Sequence, residues 1–216
     1  TAPGGVTELD PDKHKVVFLA NVSDPGPIAA LLTEFVRGGG GVVISMGSNV
    51  TPDRYNGPLR DLLPSSLRKV RSLVALDADE GVPLSLPDLG ESLFKAFSRA
   101  GRGSFARIRT RRVMTLEPYQ ESEDVRTLLR YEGGVPALVE RKVGRGRVLL
   151  WTGTIDADWG NFPLQAAYMP LVQRVVNYLG GAAPGGGGDR LEGRVGEEVV
   201  VELPTEDEEP EVMGPD

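Results

Sequence analysis

Hydrophobic positions first gather in "KVVFLANV", where Val16 to Val22 form a continuous apolar run, the pattern of a strand buried on both faces of an α/β sheet. "SDPGP" breaks the run. "IAALLTEFVR" then places Ile28, Leu31, Leu32, Phe35 and Val36 at helical spacing, with Ser23 or Asp24 available as a cap and Pro27 suited to a first turn. A second buried strand is predicted over Val42 to Met46. Between helix and strand stand four glycines, Gly38 to Gly41. A phosphate-binding loop runs strand, glycines, helix, because the helix N-terminus supplies free N–H groups and the positive dipole end. Here the order is helix, glycines, strand, and no Walker lysine follows. The glycines are expected to end a helix, where the dipole repels an anion.

Further along, "GSNVTPDRYNGPLRDLLPSSL" (Gly47 to Leu67) is expected to be a loop with a short helix, leaving the carboxyl end of the second strand. "GESLFKAF" is helix-like, and "FARIRTRRVMTL" alternates as a strand does. "VRTLLRYEGGVPALVERKVGRGRVLLWTGT" carries turn signals at Gly133-Gly134 and at Gly144-Arg145-Gly146, which predict a three-stranded antiparallel meander. After the loop "IDADWGNFP", the last helix sets Met169, Val172, Val175, Val176 and Leu179 on one face. The pattern divides the chain into an α/β domain at 1–180, a glycine-rich linker at 181–189, and at 190–216 the start of a β-rich module followed by an acidic tail of disordered composition.

Charge changes the range of partners. A formal charge of -7 and a pI near 4.9 argue against nucleic acid, whose phosphates need a clustered positive field. The dense basic segment Arg99 to Arg112 reads as a strand with a basic solvent face. The chain has no cysteine, which removes disulfides, thiolate-ligated zinc and thiol nucleophiles while leaving the compartment open. No apolar run reaches the ~18 residues that span a bilayer. Thr1 in place of Met suggests a piece of a longer protein.

In open α/β sheets, sites form beyond the carboxyl ends of the strands. The polar groups expected there are Ser48, Asn49, Asp53, Tyr55 and Asn56 after the second strand, and Asp156, Asp158, Trp159 and Asn161 in "DADWGN". Ser45 is also near. None forms a nucleophile–base set, and the single His14 precedes the first strand. Asp156, Asp158 and Asn161 offer three oxygen ligands, but a calcium loop wants further carboxylates that "FPLQ" does not supply, so no metal and no cofactor is expected. Trp159 is expected either at a contact surface or packed on the sheet edge.

In combination, "VVFLANV", "FVRGGGGVVISMG", "YNGPLRDLLP" and "GVPALVERKVGRGRVLLWTGTIDADWGNFPLQAAYMPLVQRVVNYL" resemble the glutamine-amidotransferase-like domain of bacterial membrane proteins that also carry a BatA-type membrane segment and a von Willebrand factor A domain. The resemblance covers Lys15 to Leu179. It implies a flavodoxin-like sheet, helices on both faces, held on the extracytoplasmic side of an inner membrane. Class I amidotransferases use a Cys and a His–Glu pair. Neither is available here, so no catalytic residue carries over and the implied role is non-catalytic binding or assembly with a protein partner. The alternative is a metal-dependent ThuA-like hydrolase or sugar-processing enzyme using Asp53, Asp156 or Asp158; a flavin or nucleotide binder lacks the phosphate loop. The resemblance also implies a βα unit before Val16, where "TAPGGVTELDPDKHK" offers no apolar run. An N-terminally truncated sheet is therefore expected, with an open central position and self-association through it.

Overall fold

The computed structural model describes residues 6–73, 81–95, 97 and 103–181. The predicted linker beyond Gly181, the β module and the acidic tail lie outside the described residues. The main elements are β1 (Val16–Ala20), α1 (Ala29–Arg37), β2 (Gly41–Ser45), α2 (Pro52–Asn56), β3 (Leu67–Ser72), β4 (Val82–Pro83), β5 (Arg109–Thr110), β6 (Arg112–Leu116), β7 (Val125–Arg130), β8 (Pro136–Val143), β9 (Gly146–Trp151) and α3 (Tyr168–Leu179). They form a mixed α/β fold. Five strands make one sheet in the order β1-β2-β9-β8-β7, in which β1, β2 and β9 are parallel and β8 and β7 antiparallel. Two ribbons, β3-β6 and β4-β5, stand apart from it.

Strand β2 is buried at all five positions. Alternation sends Val42 and Ile44 to one face and Val43 to the other. Leu32, Phe35 and Val36 of α1 join the first pair with Val148 and Leu150. Leu171, Val175 and Leu179 of α3 join Val43 with Leu149 and Trp151 on the opposite face. Each such buried side chain contributes about 2 kcal/mol. The last helix thus buries a stripe at i, i+4 and i+8, while Met169 (60 % exposed) and Val176 (37 %) of the expected face point outward. Hydrophobic spacing alone leaves that rotation undetermined.

The four glycines do end α1. Gly38 caps it, Gly39 takes a φ of +116°, and a Cβ on Gly40 would lie 2.3 Å from the Phe35 ring. At the other end, neither Ser23 nor Asp24 caps α1. The Asp24 carboxylate instead accepts from Gly26 N–H at 3.0 Å, a local turn that leads into one 3-10 turn (Gly26–Ile28) before the helix. The meander is present: Gly133 and Gly134 both have positive φ, and Gly144 (φ +59°) opens a two-residue β8–β9 turn. "FARIRTRRVMTL" is not one strand. Phe105 and Ile108 are both fully buried, and the Arg111 N–H leaves the ladder to bond Trp159 O at 2.8 Å, separating β5 from β6. "GESLFKAF" supplies consecutive turns over Glu91 to Lys95.

Among the described residues the strands of the sheet are contiguous, with no vacancy in its middle, where an open position was expected. β1 is an edge strand, and the unpaired side lies outside it.

On β8, Glu140 is fully buried, and three elements satisfy its carboxylate. Arg126 of β7 donates to Oε2 at 3.1 Å, Arg147 of β9 to Oε1 at 3.4 Å, and the Tyr178 hydroxyl of α3 to Oε1 at 2.5 Å. Arg147 also lies 4.8 Å over the Tyr178 ring. Removing one partner of a buried ion pair leaves uncompensated charge. Glu140→Ala is expected to cost about 3 kcal/mol, or about 10 °C in melting temperature, in thermal unfolding. Burial, then the bond and charge of Glu140, push the Tyr178 phenol up to about 12. A phenol raised above its unfolded value of about 10 stabilises fully below that pH and loses the contribution as pH climbs through its folded value. Between pH 10 and 12, urea titrations should therefore show a steeper loss of stability in the parent chain than in Tyr178→Phe; equal slopes would remove Tyr178 from the network.

Candidate functional site

Parallel packing of β1, β2 and β9 brings their carboxyl ends to one rim of the sheet. Asn21 follows β1 with φ +51°, the left-handed region that Asn tolerates better than most side chains, and is the non-glycine residue with positive φ among the described residues. Its Oδ1 accepts from Asn49 N–H at 2.8 Å. Gly47 passes directly against it: a Cβ there would lie 2.2 Å from Asn21 Cγ. Two residues of β2's loop are thus fixed by one side chain from β1's loop.

The neighbouring loop after β9 is joined in the same way. The Ser48 hydroxyl donates to Asp158 Oδ2 at 2.6 Å. Asp158 N–H bonds Asp156 Oδ1 at 2.9 Å, an Asx turn, and the Thr154 hydroxyl donates to Asp156 O at 3.1 Å. Ser48, Asn49, Asp156 and Asp158 are exposed. They form a polar rim held by hydrogen bonds between loops 110 residues apart in sequence. Beside it is a cavity of about 440 Å³ lined by Arg109, Arg111, Ala157, Gly160, Asn161 and Leu164, so that acidic and basic surfaces adjoin. Leu164 is 76 % exposed.

The other expected site residues serve the scaffold. Trp159 is 2 % exposed and packs in the core with Met46, Met114 and Leu150, which removes it from any contact surface. Tyr55 is fully buried, its hydroxyl donating to Val22 O at 2.6 Å; burial, and then the Asp24 carboxylate, raise its phenol above the usual range. Asn56 bonds both backbone groups of Leu67, at 2.9 and 2.8 Å. Asn161 accepts from Arg109 N–H at 2.7 Å and donates to Arg107 O at 3.1 Å, and also lines the cavity. Asp53 is exposed on α2, and its carboxylate has no hydrogen bond or ion pair among the described residues. The three asparagine and tyrosine assignments share a cause: a polar side chain in a loop bonds nearby backbone before it is free to bind anything else.

His14 lies in the turn before β1, at the amino end of the sheet and so opposite the rim. Among the described residues no three His, Cys, Asp or Glu side chains come together in a way that holds a metal ion. The residues missed by sequence reading are Asn21, Arg109, Arg111 and Leu164. An Asn directly after an apolar strand run was a usable signal for the first; the cavity needs tertiary pairing of β5 with the β9 loop.

No family model matches the chain, and no curated protein matches it. Among solved structures, the cytoplasmic protein STM3548 of Salmonella typhimurium is similar over 78% of this chain and 73% of its own, at 15% identity and a TM-score of 0.57. The cytoplasmic protein STM1381 of Salmonella typhimurium LT2 is similar over 76% and 71%, at 14% identity and a TM-score of 0.59. A beta-galactosidase of Bacillus circulans sp. alkalophilus is matched over 82% of this chain and 24% of that enzyme, at 17% identity and a TM-score of 0.48. The first two likenesses concern the fold alone. No helix among the described residues is long and apolar enough to cross a membrane.

Since Trp159 sits in the core, Trp159→Ala should lower stability by about 4 kcal/mol in chemical denaturation. A loss below about 1 kcal/mol would place the ring at the surface.

Proposed function

We propose that this chain is a non-catalytic binding and assembly domain, a flavodoxin-like sheet of the glutamine-amidotransferase-like kind found in BatA/von Willebrand factor A membrane proteins. In that setting it stands on the extracytoplasmic side of the membrane and is anchored by segments outside this sequence. The observation that carries the reading is the rim itself. Ser48, Asp156 and Asp158 are exposed yet linked by hydrogen bonds, the Asn49 backbone is held by the Asn21 side chain, and the group adjoins the Arg109–Arg111 cavity and the exposed Leu164. A surface whose side chains are already ordered loses little entropy on association. An apolar anchor ringed by both charge signs suits a protein partner. The chemistry of the chain agrees: without cysteine no thiolate attacks glutamine, and the one histidine is at the other end of the sheet.

The test places a photo-activatable cross-linker at Leu164 of the protein in its native membrane, with exposed Val70 on the β3-β6 ribbon as control. A discrete adduct from Leu164, weakened about tenfold by Asp158→Arg, is expected if a charged pair at the contact is lost. Adducts independent of position would reject the rim as the contact. The hydrolase alternative is separated by thermal shift with divalent metals and sugars. Stabilisation near 2.7 kcal/mol at 100 times the dissociation constant, abolished by Asp156→Asn, would replace the binding reading by the enzymatic one. Glutamine incubated with the chain should release no ammonia above a buffer blank; release abolished by a point change in this chain would overturn that expectation.

A further inference from the structure

We propose that residues Val199 to Leu203, "VVVEL", add to the outer edge of β1 as a parallel strand and complete the sheet, rather than opening a separate module. The occupant is a segment of this chain outside the described residues, and four observations point to it. This inference is independent of the rim's role.

The edge is prepared for a strand. Lys15 O accepts from Gly41 N–H at 2.9 Å and Asn21 N–H donates to Ser45 O at 3.2 Å, so residues 15 and 21 turn their backbone polar groups toward β2. With a period of two, Val16, Phe18 and Ala20 turn theirs outward, where no described strand meets them. Next to this edge, between α3 and the sheet, runs a groove whose walls include Phe18, Val43, Leu149, Val172 and Val175. Phe18 is 38 % exposed, an aromatic ring at the open side of an otherwise covered face.

Chain direction selects the same place. The β1–α1–β2 connection runs toward β9 with α1 on one face, whereas α3, which follows β9, covers the other face. Right-handed crossovers on opposite faces advance in opposite directions. A parallel strand following α3 is therefore placed past β2 and β1, outside β1. The helix also ends at the correct level: Leu179 packs on Gly41, and a Cβ on Gly180 would lie 3.5 Å from Lys15 Cβ, at the start of β1. From there the glycine-rich stretch at 181–189, with a root-mean-square reach of about 17 Å, spans one strand spacing of about 4.8 Å with ease.

Pattern then fixes the register. Val199, Val201 and Leu203 share one face of a strand, and three consecutive valines favour extended structure. Setting Val201 beside Phe18 puts all three over the groove and brings Glu198 beside Lys15. The Lys15 ammonium bonds Pro11 O at 3.0 Å and has no carboxylate partner among the described residues.

The full chain contains no cysteine, so pairs can be introduced cleanly. Under mild oxidation, Phe18→Cys with Val201→Cys should give an intramolecular disulfide, since neighbouring strands hold Cα atoms within bonding range. Phe18→Cys with Val200→Cys, on opposite faces, should react about tenfold less. A disulfide-linked dimer would overturn the proposal in favour of exchange between copies, and no cross-link at all would overturn it outright. Because Phe18→Cys removes a packed ring, amide exchange on the unsubstituted chain gives a second readout. The Val16, Phe18 and Ala20 amides should be protected, and Val200→Pro, which removes the N–H facing Val16 O, should speed their exchange by about tenfold or more while Val43 stays protected. Fast exchange at those three amides in the parent chain would also reject the strand.

Discussion

Burial of β2 on both faces is the constraint from which the rest of this structure follows. A strand whose every side chain is enclosed cannot be satisfied by one helix, so the chain has to send a cover to each side of the sheet. It does so with α1 before β9 and α3 after it. The β1–α1–β2 crossover sets β1 beside β2, β9 pairs parallel along β2's other side, and the parallel pairing aligns three carboxyl ends at one rim. The site is a by-product of that alignment. Ser48 meets Asp158, and Asn21 meets Asn49, because the strands that carry their loops are neighbours.

The antiparallel half is held differently. β8 and β7 extend the sheet from β9 by antiparallel pairing, and on β8 a buried carboxylate stands where an apolar side chain would be expected. Glu140 collects donors from β7, β9 and α3, so one side chain reports whether the meander and the last helix are both in place. Ionic groups of this kind are a costly way to gain stability but a specific way to fix register, since a one-residue slip of β8 would aim the carboxylate at the other face.

Sequence reading recovered what depends on local periodicity. The doubly buried run of β2, the glycine stop after Arg37 and the two meander turns at Gly133-Gly134 and Gly144 were legible because each signal lies within a few residues of the structure it produces; β1 forms where expected, but as an edge strand it buries only Leu19 rather than both faces. The failures have one origin. Met169 and Val176 share a helical face with Leu179 in the pattern, yet which side of that face meets the sheet is decided by Val43 and Leu149, on strands outside any local window. Trp159 looked like a surface anchor because its neighbours Asp156, Asp158 and Asn161 are polar. Those neighbours fold the loop into turns that drive the ring inward, toward Met46 and Met114. Tyr55 and Asn56 were misjudged for the same reason: their polar atoms find backbone partners at Val22 and Leu67 that no local window contains.

That distinction separates two kinds of polar residue at a strand's end. Asn56 and Asn161 bond main-chain atoms and hold the loops in shape, so changing them alters the scaffold. Ser48 and Asp158 bond each other and remain open to solvent, so either can exchange its partner for an external group without unfolding anything. A carboxylate accepting one short hydroxyl bond still has free lone pairs, and a hydroxyl that donates can still accept. The rim is thus ordered in the free protein and yet unsaturated. Electrostatics gives the surface its character: the acidic pair lies beside Arg109 and Arg111, so a ligand with charge of one sign would be repelled by half of it. The mixed-charge surface beside the exposed Leu164 follows from geometry that the two covered faces of β2 impose on the loops above them.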